Sequence, residues 1–536
     1  MSFFMRTRRP LDGPAPQGGA GRRAPGDASG PAPHADAKAS VASVPEGAPA
    51  APGAASAQLQ AVYARTGRRL LPLFVLVVIC NQLDRNNIAF AALTMNRDLG
   101  FSSSTYGVGV SMFFVTFCLF AVPSNLVMVR VGCRRWLALL VAAWGVVASC
   151  FALVHNAAGF FVLRLLLGAF ESGATPAMWW HLTQFFPQHR LTKPYMWLTV
   201  GVLIANVLGA PVAAGLLAME GLGGLHGWQW LFMLEGIPSV LLGGLLWLTL
   251  PDRPADAKWL SAEQKELLRD DMAESLSRSP PAEAIPRSPL PLLRMVAVNP
   301  LLLLMSLVGF LFSVAAYTYI FWSPIIISNL LAGTAVGLAT TAAAHSALDV
   351  KPVLLTAVPY AVAGATAWAV AAHSERRNEL ILHTTAAFLM GGACLAAFPA
   401  LAGAQVAAGF VALVGAAAAV SAANGPSQAI TSRVSAGPSQ VVGMPVYGAI
   451  SVLGGVVGPI AVGTILQRSR HGFAPVFYVI GATTMLCGLL VGALRWLLPA
   501  RERRLAAGGG GGGGVPAGAG AAQPAAHGRG AAALHA

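Results

Sequence analysis

Four ionisable side chains interrupt sequence that is otherwise apolar: Asp84 and Arg85 in CNQLDRNNIAF, and Arg164 and Glu171 in FVLRLLLGAFESGATP. At the centre of a membrane helix each costs roughly 2.5 to 3.5 kcal/mol, so such residues pair, face water or carry function. Two acids and two guanidiniums sum to no net charge, and their spacing favours pairing. Arg164 and Glu171 are seven residues apart, nearly two helical turns, which sets them on one helix face about 10 Å apart in height. Gly168 between them removes bulk where another helix or a substrate approaches. Asn81, four residues before Arg85, adds a polar group to the matching face of its own helix.

The residue types suggest a division of labour. A planar guanidinium matches a carboxylate, so Arg85 and Arg164 are candidate binding residues for an anionic substrate. Asp84 and Glu171 are candidate proton carriers, because acids change charge whereas arginine does not. An acid whose arginine partner is taken by a substrate anion is freed to bind a proton, which couples the two. The alternative is a pair of buried ion pairs that only sets helix register. Tyr317, Tyr319, Phe321 and Trp322 either line a cavity or pack; Tyr317 joins the candidate substrate contacts, with Gln428. Trp179, Trp180 and His181 are expected to pack, and Glu235 to be satisfied by helix-end amides near the outer start of its span. Asp98 and Asp349 fall in external loops and are assigned no role.

The elements that must position these groups follow from composition. The chain has 536 residues, 55% of them hydrophobic and only 10% charged, against about 25% charged in a soluble domain. That is too little charge for a water-facing surface, and the bilayer is the expected solvent. Crossing ~30 Å of hydrocarbon takes about 20 helical residues. Apolar stretches of that length lie near 70–90, 106–129, 136–154, 160–186, 195–217 and 228–250. After a gap they resume near 296–327, 353–372, 380–398, 406–430, 441–466 and 473–498. Continuous runs indicate helices rather than the ten-residue alternation of a barrel. The predicted fold is an all-α membrane protein with twelve transmembrane helices in two six-helix bundles.

Five segments follow: a disordered tail over 1–64, an N-terminal bundle over 65–250, a cytoplasmic central loop over 251–295, a C-terminal bundle over 296–505, and a second disordered tail over 506–536. Neither tail has the pattern of a signal peptide. In the central loop, Ser261 and Gln264 form a capping-box pattern opening a surface helix that carries Leu260, Leu267 and Leu268 on one side. The halves echo each other, Pro211 to Gly215 matching Pro459 to Gly463, as in transporters with parallel repeats and a midplane site between them. The net charge of +14 raises the question of nucleic acid, but its distribution answers it. Arg65, Arg68, Arg69, Arg130, Arg134, Arg135, Arg190, Lys193 and the basic residues of the central loop fall on one side of the spans. On the other fall only Arg97, Lys351, Arg468 and Arg470. This asymmetry orients both termini to the cytoplasm. The six cysteines are scattered singly, so no disulfide framework or metal site is expected.

In order along the chain stand L-D-R-x-N-I-A-F-A, P-S-N-L with R-V-G-x-R-R-W, R-x-L-L-G-x-x-E-S-G-x-x-P, W-x-W-L-F-x-L-E-G-x-P, W-L-S-A-E, Y-x-x-x-F-W-x-P and L-G-G-x-V-G-P. From Arg65 to about Leu498 the chain resembles the anion:cation symporter family of the major facilitator superfamily. The resemblance implies uptake of organic anions, among them sugar acids, tartrate and aromatic carboxylates, usually with protons. It also implies that Asp84 and Glu171 carry proton coupling, while Arg85 and Arg164 serve charge balance and carboxylate binding. The C-terminal half departs from the pattern. Gly448 and Val452 stand where two asparagines are usual, Ser427 and Gln428 stand where G-P-F-W continues, and an Ala-rich loop runs around His345. Loss of these groups points to a less hydroxylated carboxylate.

The expected function is import of a small organic anion across the inner membrane by alternating access with proton symport. The partners are the substrate, protons and lipid, with no nucleic acid; the protein is expected to be a monomer without cofactor. Export of amphipathic compounds and a transport-like receptor are the alternatives. No G-x-S-x-G, H-E-x-x-H or phosphate-cradling G-x-x-x-x-G-K-[ST] is present, so an enzyme is not expected.

Overall fold

Continuous apolar sequence in lipid must satisfy its own backbone, and helices do so within one segment. The computed structural model accordingly consists of helices, and describes residues 52–277, 299–333, 350–377, 379–435, 440–469 and 472–508. In chain order these are α1 (Pro52–Asp98), α2 (Ser103–Val131), α3 (Cys133–Cys150), α4 (Ala157–Glu171), α5 (Ala174–Phe185), α6 (Thr192–Leu217), α7 (Gly227–Thr249) and α8 (Ala262–Ser277). There follow α9 (Pro300–Leu331), α10 (Lys351–Leu355), α11 (Ala357–Arg376), α12 (Ile381–Ala404), α13 (Val406–Val434), α14 (Gln440–Val452), α15 (Gly454–Arg468) and α16 (Ala474–Gly508).

Among the described residues eleven helical stretches are long and apolar enough to cross a membrane, with α4–α5, α10–α11 and α14–α15 each acting as one broken span. The first span, α1, makes the twelfth. The polar run Asn81 to Asn87 lowers its hydropathy, yet it packs on α6 and α7 inside the structure. The twelve-helix expectation therefore stands, and the least apolar span is the one carrying Asp84 and Arg85.

Close crossings at glycine hold the repeat together. A Cβ on Gly145 of α3 would meet the Gly236 carbonyl of α7 at 2.7 Å, and one on Gly392 of α12 would meet the Gly481 carbonyl of α16 at 2.7 Å. The third and sixth spans thus touch backbone to backbone, as do the ninth and twelfth, which allows the dispersion contacts that replace hydrophobic driving force in lipid. This is the internal repeat expressed as packing.

Two tail boundaries differ from the expectation. Helix α1 begins at Pro52 rather than after residue 64. The Ala-rich stretch 53–64 has high helix propensity, and Val62 and Tyr63 are buried. The Tyr63 hydroxyl donates to Asp271 of α8, its ring stacks on Phe186, and the Arg190 guanidinium lies over it at 4.6 Å. Helix α16 runs on to Gly508; the tail beyond it, like residues 1–51 and the segment 334–349 containing His345 and Asp349, lies outside the described residues. In the central loop the capping box forms as its spacing predicts, with Gln264 N donating to Ser261 Oγ and Ser261 N to Gln264 Oε1, both at 3.2 Å. Leu268 is buried.

Candidate functional site

Glu171 is the last residue of α4, just before the break at Ser172 and Gly173 that precedes α5. Gly168 lets α2 approach: a Cβ there would lie 2.1 Å from the Phe113 carbonyl. Across from Glu171, Arg85 donates from Nη2 at 2.9 Å and from Nε at 3.2 Å, both to Oε2. Arg85 Nη2 also donates to Asn81 Oδ1 at 3.2 Å, realising the i, i+4 relation in the sequence. The guanidinium lies over the rings of Phe113 and Phe117, at 5.1 and 5.2 Å. The Glu171 side chain is fully buried while that of Arg85 is 17% exposed. The cation of this pair is its accessible partner.

Arg164 does not join an ion pair among the described residues. It is buried, donates from Nε to the Gly109 carbonyl and from Nη2 to the Val110 carbonyl, each at 3.2 Å, and lies 4.9 Å from the centre of the same Phe113 ring. Asp84 is not paired with an arginine either. It points from α1 into the contact with α3 and α7, where its Oδ2 accepts from Trp144 Nε1 at 3.2 Å and from Ser239 Oγ at 2.7 Å. The reading of two buried ion pairs is therefore corrected to one. Neighbours in sequence, Asp84 and Arg85 project about 100° apart around α1, so the acid meets neutral donors on α3 and α7 while the base meets Glu171 on α4.

Glu235 also departs from its expected place. It lies within α7, two turns from the helix start, buried, with both carboxylate oxygens lacking a hydrogen-bond partner. Helix-end amides do not reach it, because the first free N–H groups of α7 are two turns away. Asp98 has a role after all: Oδ2 accepts from Trp228 Nε1 at 3.1 Å, tying the end of α1 to the start of α7. His181 packs as expected, edge-on to Phe74 and against Phe185.

In the C-terminal half, Phe321 and Trp322 are core residues. Tyr317 packs on Phe114 at 4.4 Å, and Phe114 in turn meets Phe113, so Tyr317 belongs to the aromatic cluster beneath Arg85. Gln428 is not brought to that cluster by any contact. It sits on an exposed face of α13 and donates to Asn424 Oδ1 at 3.1 Å.

The two halves meet firmly at one end of α2. Ser111 Oγ donates to the Val456 carbonyl and the Tyr106 hydroxyl to the Phe321 carbonyl, each at 2.8 Å. A Cβ on Gly107 would lie 2.3 Å from the Pro459 carbonyl, and one on Gly463 2.5 Å from the Ser103 carbonyl. Towards the other end of α2, Leu119, Phe120, Val122 and Leu126 are exposed. The interface is thus shut at the end that the charge distribution assigns to the outside.

Paired bundles of this kind, with charged groups buried at mid-span, narrow the comparison to transporters. The family model of the Major Facilitator Superfamily matches residues 74–348. The chain belongs to that superfamily. A protein of Agrobacterium vitis named "Putative tartrate transporter" is 39% identical over 262 residues, covering 49% of this chain and 57% of that protein. A "Quinolone resistance transporter" of Acinetobacter baumannii is 37% identical over 206 residues, 38% of this chain and 48% of that protein. The matches thus span about half the length of these relatives. A crystal structure of a bacterial homologue of the human lysosomal transporter Spinster, inward-facing and occupied, aligns with a TM-score of 0.59 over 82% of this chain and 96% of that one, at 16% identity. Such a likeness carries the fold alone.

Within this major facilitator protein, sequence reading missed Phe113, Trp144, Ser239 and Asn87 as neighbours of the buried charged groups. Trp144 and Phe113 carry no local signal, since an aromatic in an apolar span reads as packing. Ser239, four residues after Glu235, and Asn87, three after Asp84, do carry one: each repeats a polar group one turn along a buried helix face.

Proposed function

We propose that the protein is a secondary active transporter that imports a small organic anion across the inner membrane by alternating access, coupled to protons. The observation that carries this reading is the Arg85–Glu171 pair, in which the cation is partly accessible and the acid is sealed. A substrate carboxylate that takes the Arg85 fork displaces Glu171, and a carboxylate left alone in a buried site binds a proton rather than remain charged. Anion and proton then bind together. Arg164, which no carboxylate contacts among the described residues, adds positive potential beside the same Phe113 ring. Tyr317 faces the site from the C-terminal half, and Asp84 holds a second proton. Space is open around Gly425 and Gly448, where a Cβ would meet nothing within 4 Å; this fits a less hydroxylated carboxylate together with Gln428. The Lys and Arg distribution supports cytoplasmic termini and a closed outer end. The two six-helix bundles are the moving units, and a monomer suffices for the cycle.

The test is uptake of a panel of labelled carboxylates into proteoliposomes under an imposed pH gradient, with and without a proton ionophore. Ionophore-sensitive accumulation of at least one carboxylate is expected; accumulation insensitive to the ionophore rejects proton coupling. Export of amphipathic compounds is a second reading, favoured by the name of the Acinetobacter baumannii relative. It requires drug efflux from cells expressing the protein, and anion binding without flux would instead mark a receptor.

A further inference from the structure

Glu235 has no place in the cycle above. It is 7% exposed, and the side chain placed to hydrogen-bond it is the Asn87 amide, although the two do not meet in full hydrogen-bond geometry and the polar atoms of both are buried with no other partner. The helix register explains the company. Helices α1 and α7 run antiparallel in contact, and Ser239 on α7 meets Asp84 on α1. One turn towards the outer end on each helix, Glu235 stands opposite Asn87. The two carboxyls therefore lie on adjacent rungs of one ladder, about 5 Å apart along the helix axes. Asp84 Oδ1 is also buried and without a partner.

Among the described residues no cation contacts this ladder, and its flank towards α3 is closely packed. On the α3 side, a Cβ on Gly236 would meet Ser149 Oγ at 2.4 Å and the Gly145 carbonyl at 2.7 Å. The ionisable groups around Glu235 are few. Helix α1 contributes Cys80 and Asp84, and α3 has Cys150 near its outer end. Helix α6 between Trp197 and Leu217 and the turn Phe151–Leu153 contribute none. Glu171 lies beyond α1 and is held by Arg85. Uncompensated carboxylates in such a site are strongly disfavoured against the protonated form.

We propose that Asp84 and Glu235, bridged by Asn87 and Ser239, form a two-carboxyl proton-binding chamber inside the N-terminal bundle, with Glu235 its outer member. This rests on the proton-coupled reading above and adds a proton site to it. Protons exchange between the chamber and the transport pathway by way of Asp84, its inner member.

The experiment compares wild type, Glu235→Gln and Glu235→Asp in proteoliposomes, using the labelled carboxylate that wild type accumulates best from the panel. Counterflow exchange, which needs no net proton movement, is expected to persist in Glu235→Gln. Its gradient-driven accumulation is expected to fall by about tenfold per unit of pH gradient, the effect of one proton fewer per cycle. Glu235→Asp keeps the carboxyl and is expected to keep coupling. Infrared spectra of wild type in lipid should show the C=O band of a protonated, buried carboxylic acid that Glu235→Gln removes, a readout that needs no substrate. If wild type accumulates no carboxylate with a pH gradient, the parent reading fails and this one with it. If wild type is coupled and Glu235→Gln matches it in accumulation and proton ratio, only the chamber is rejected; an unchanged carboxyl band also rejects it.

Discussion

Arg85 spends both of its donors towards Glu171 on one oxygen, Oε2, and leaves Glu171 Oε1 buried without a partner. A two-oxygen, fork-to-fork pair would be the stronger arrangement. The one-sided pair leaves an acid oxygen free to take a proton and an arginine edge facing the accessible side.

Removing the acid should separate binding from coupling. Glu171→Gln frees Arg85, so anion binding is retained or strengthened, while accumulation driven by a pH gradient falls by about tenfold per unit of gradient, the loss of one proton per cycle. Uptake and equilibrium binding measured on the same preparation check this. Gradient-driven accumulation at the wild-type level would remove Glu171 from the mechanism.

The two arginines should respond differently to lysine. Arg164→Lys keeps the charge but cannot span the Gly109 and Val110 carbonyls, so it is expected to lose about 1–3 kcal/mol of stability with anion affinity close to wild type. Arg85→Lys loses one charge-assisted hydrogen bond to the anion, about 1.5–3 kcal/mol, and binds about tenfold or more weakly. Thermal unfolding and binding isotherms in lipid nanodiscs distinguish the two patterns, and the reverse pattern would exchange the roles given to Arg85 and Arg164.

The shut end depends on the missing side chain of Gly107. Gly107→Val places a carbon against the Pro459 carbonyl, and overpacking of this kind costs about 1–3 kcal/mol, which shifts a two-state equilibrium by about five- to 150-fold. Distances between spin labels at Ser102 and Gln467 are expected to lengthen. An unaltered distance distribution would show that the close approach does not control closure.

A pH effect is expected at the connection between α6 and α7. Burial pushes the Glu220 carboxyl up, but the Gly227 N–H, the His226 side chain and the Arg97 charge outweigh it and hold the carboxyl below its ordinary 4.5. A depressed carboxyl contributes stability above the unfolded-state value, and that contribution is lost as pH falls through the folded one. Glu220→Gln should therefore melt lower than wild type at neutral pH, and the two curves should converge in acid. Parallel curves across that range would contradict the assignment.

Much of this architecture was legible from composition and spacing. Runs of about 20 apolar residues permit only helices in lipid, the basic residues sort by side, and the seven-residue spacing of Arg164 and Glu171 with Gly168 between them describes a face that α2 does approach. Asn81 and Arg85 meet as their i, i+4 relation requires. Asp84 and Glu171 were recognisable as costly charges for the same reason, since hydropathy is a local property. Partner choice is not local. That Arg85 takes Glu171, that Arg164 bonds to backbone carbonyls, and that Asp84 meets Ser239 depends on how α1 is rotated between α4 and α7. That rotation is set by glycine crossings and aromatic packing distributed over hundreds of residues, so only the tertiary structure decided which buried charges neutralise each other and which meet neutral groups instead.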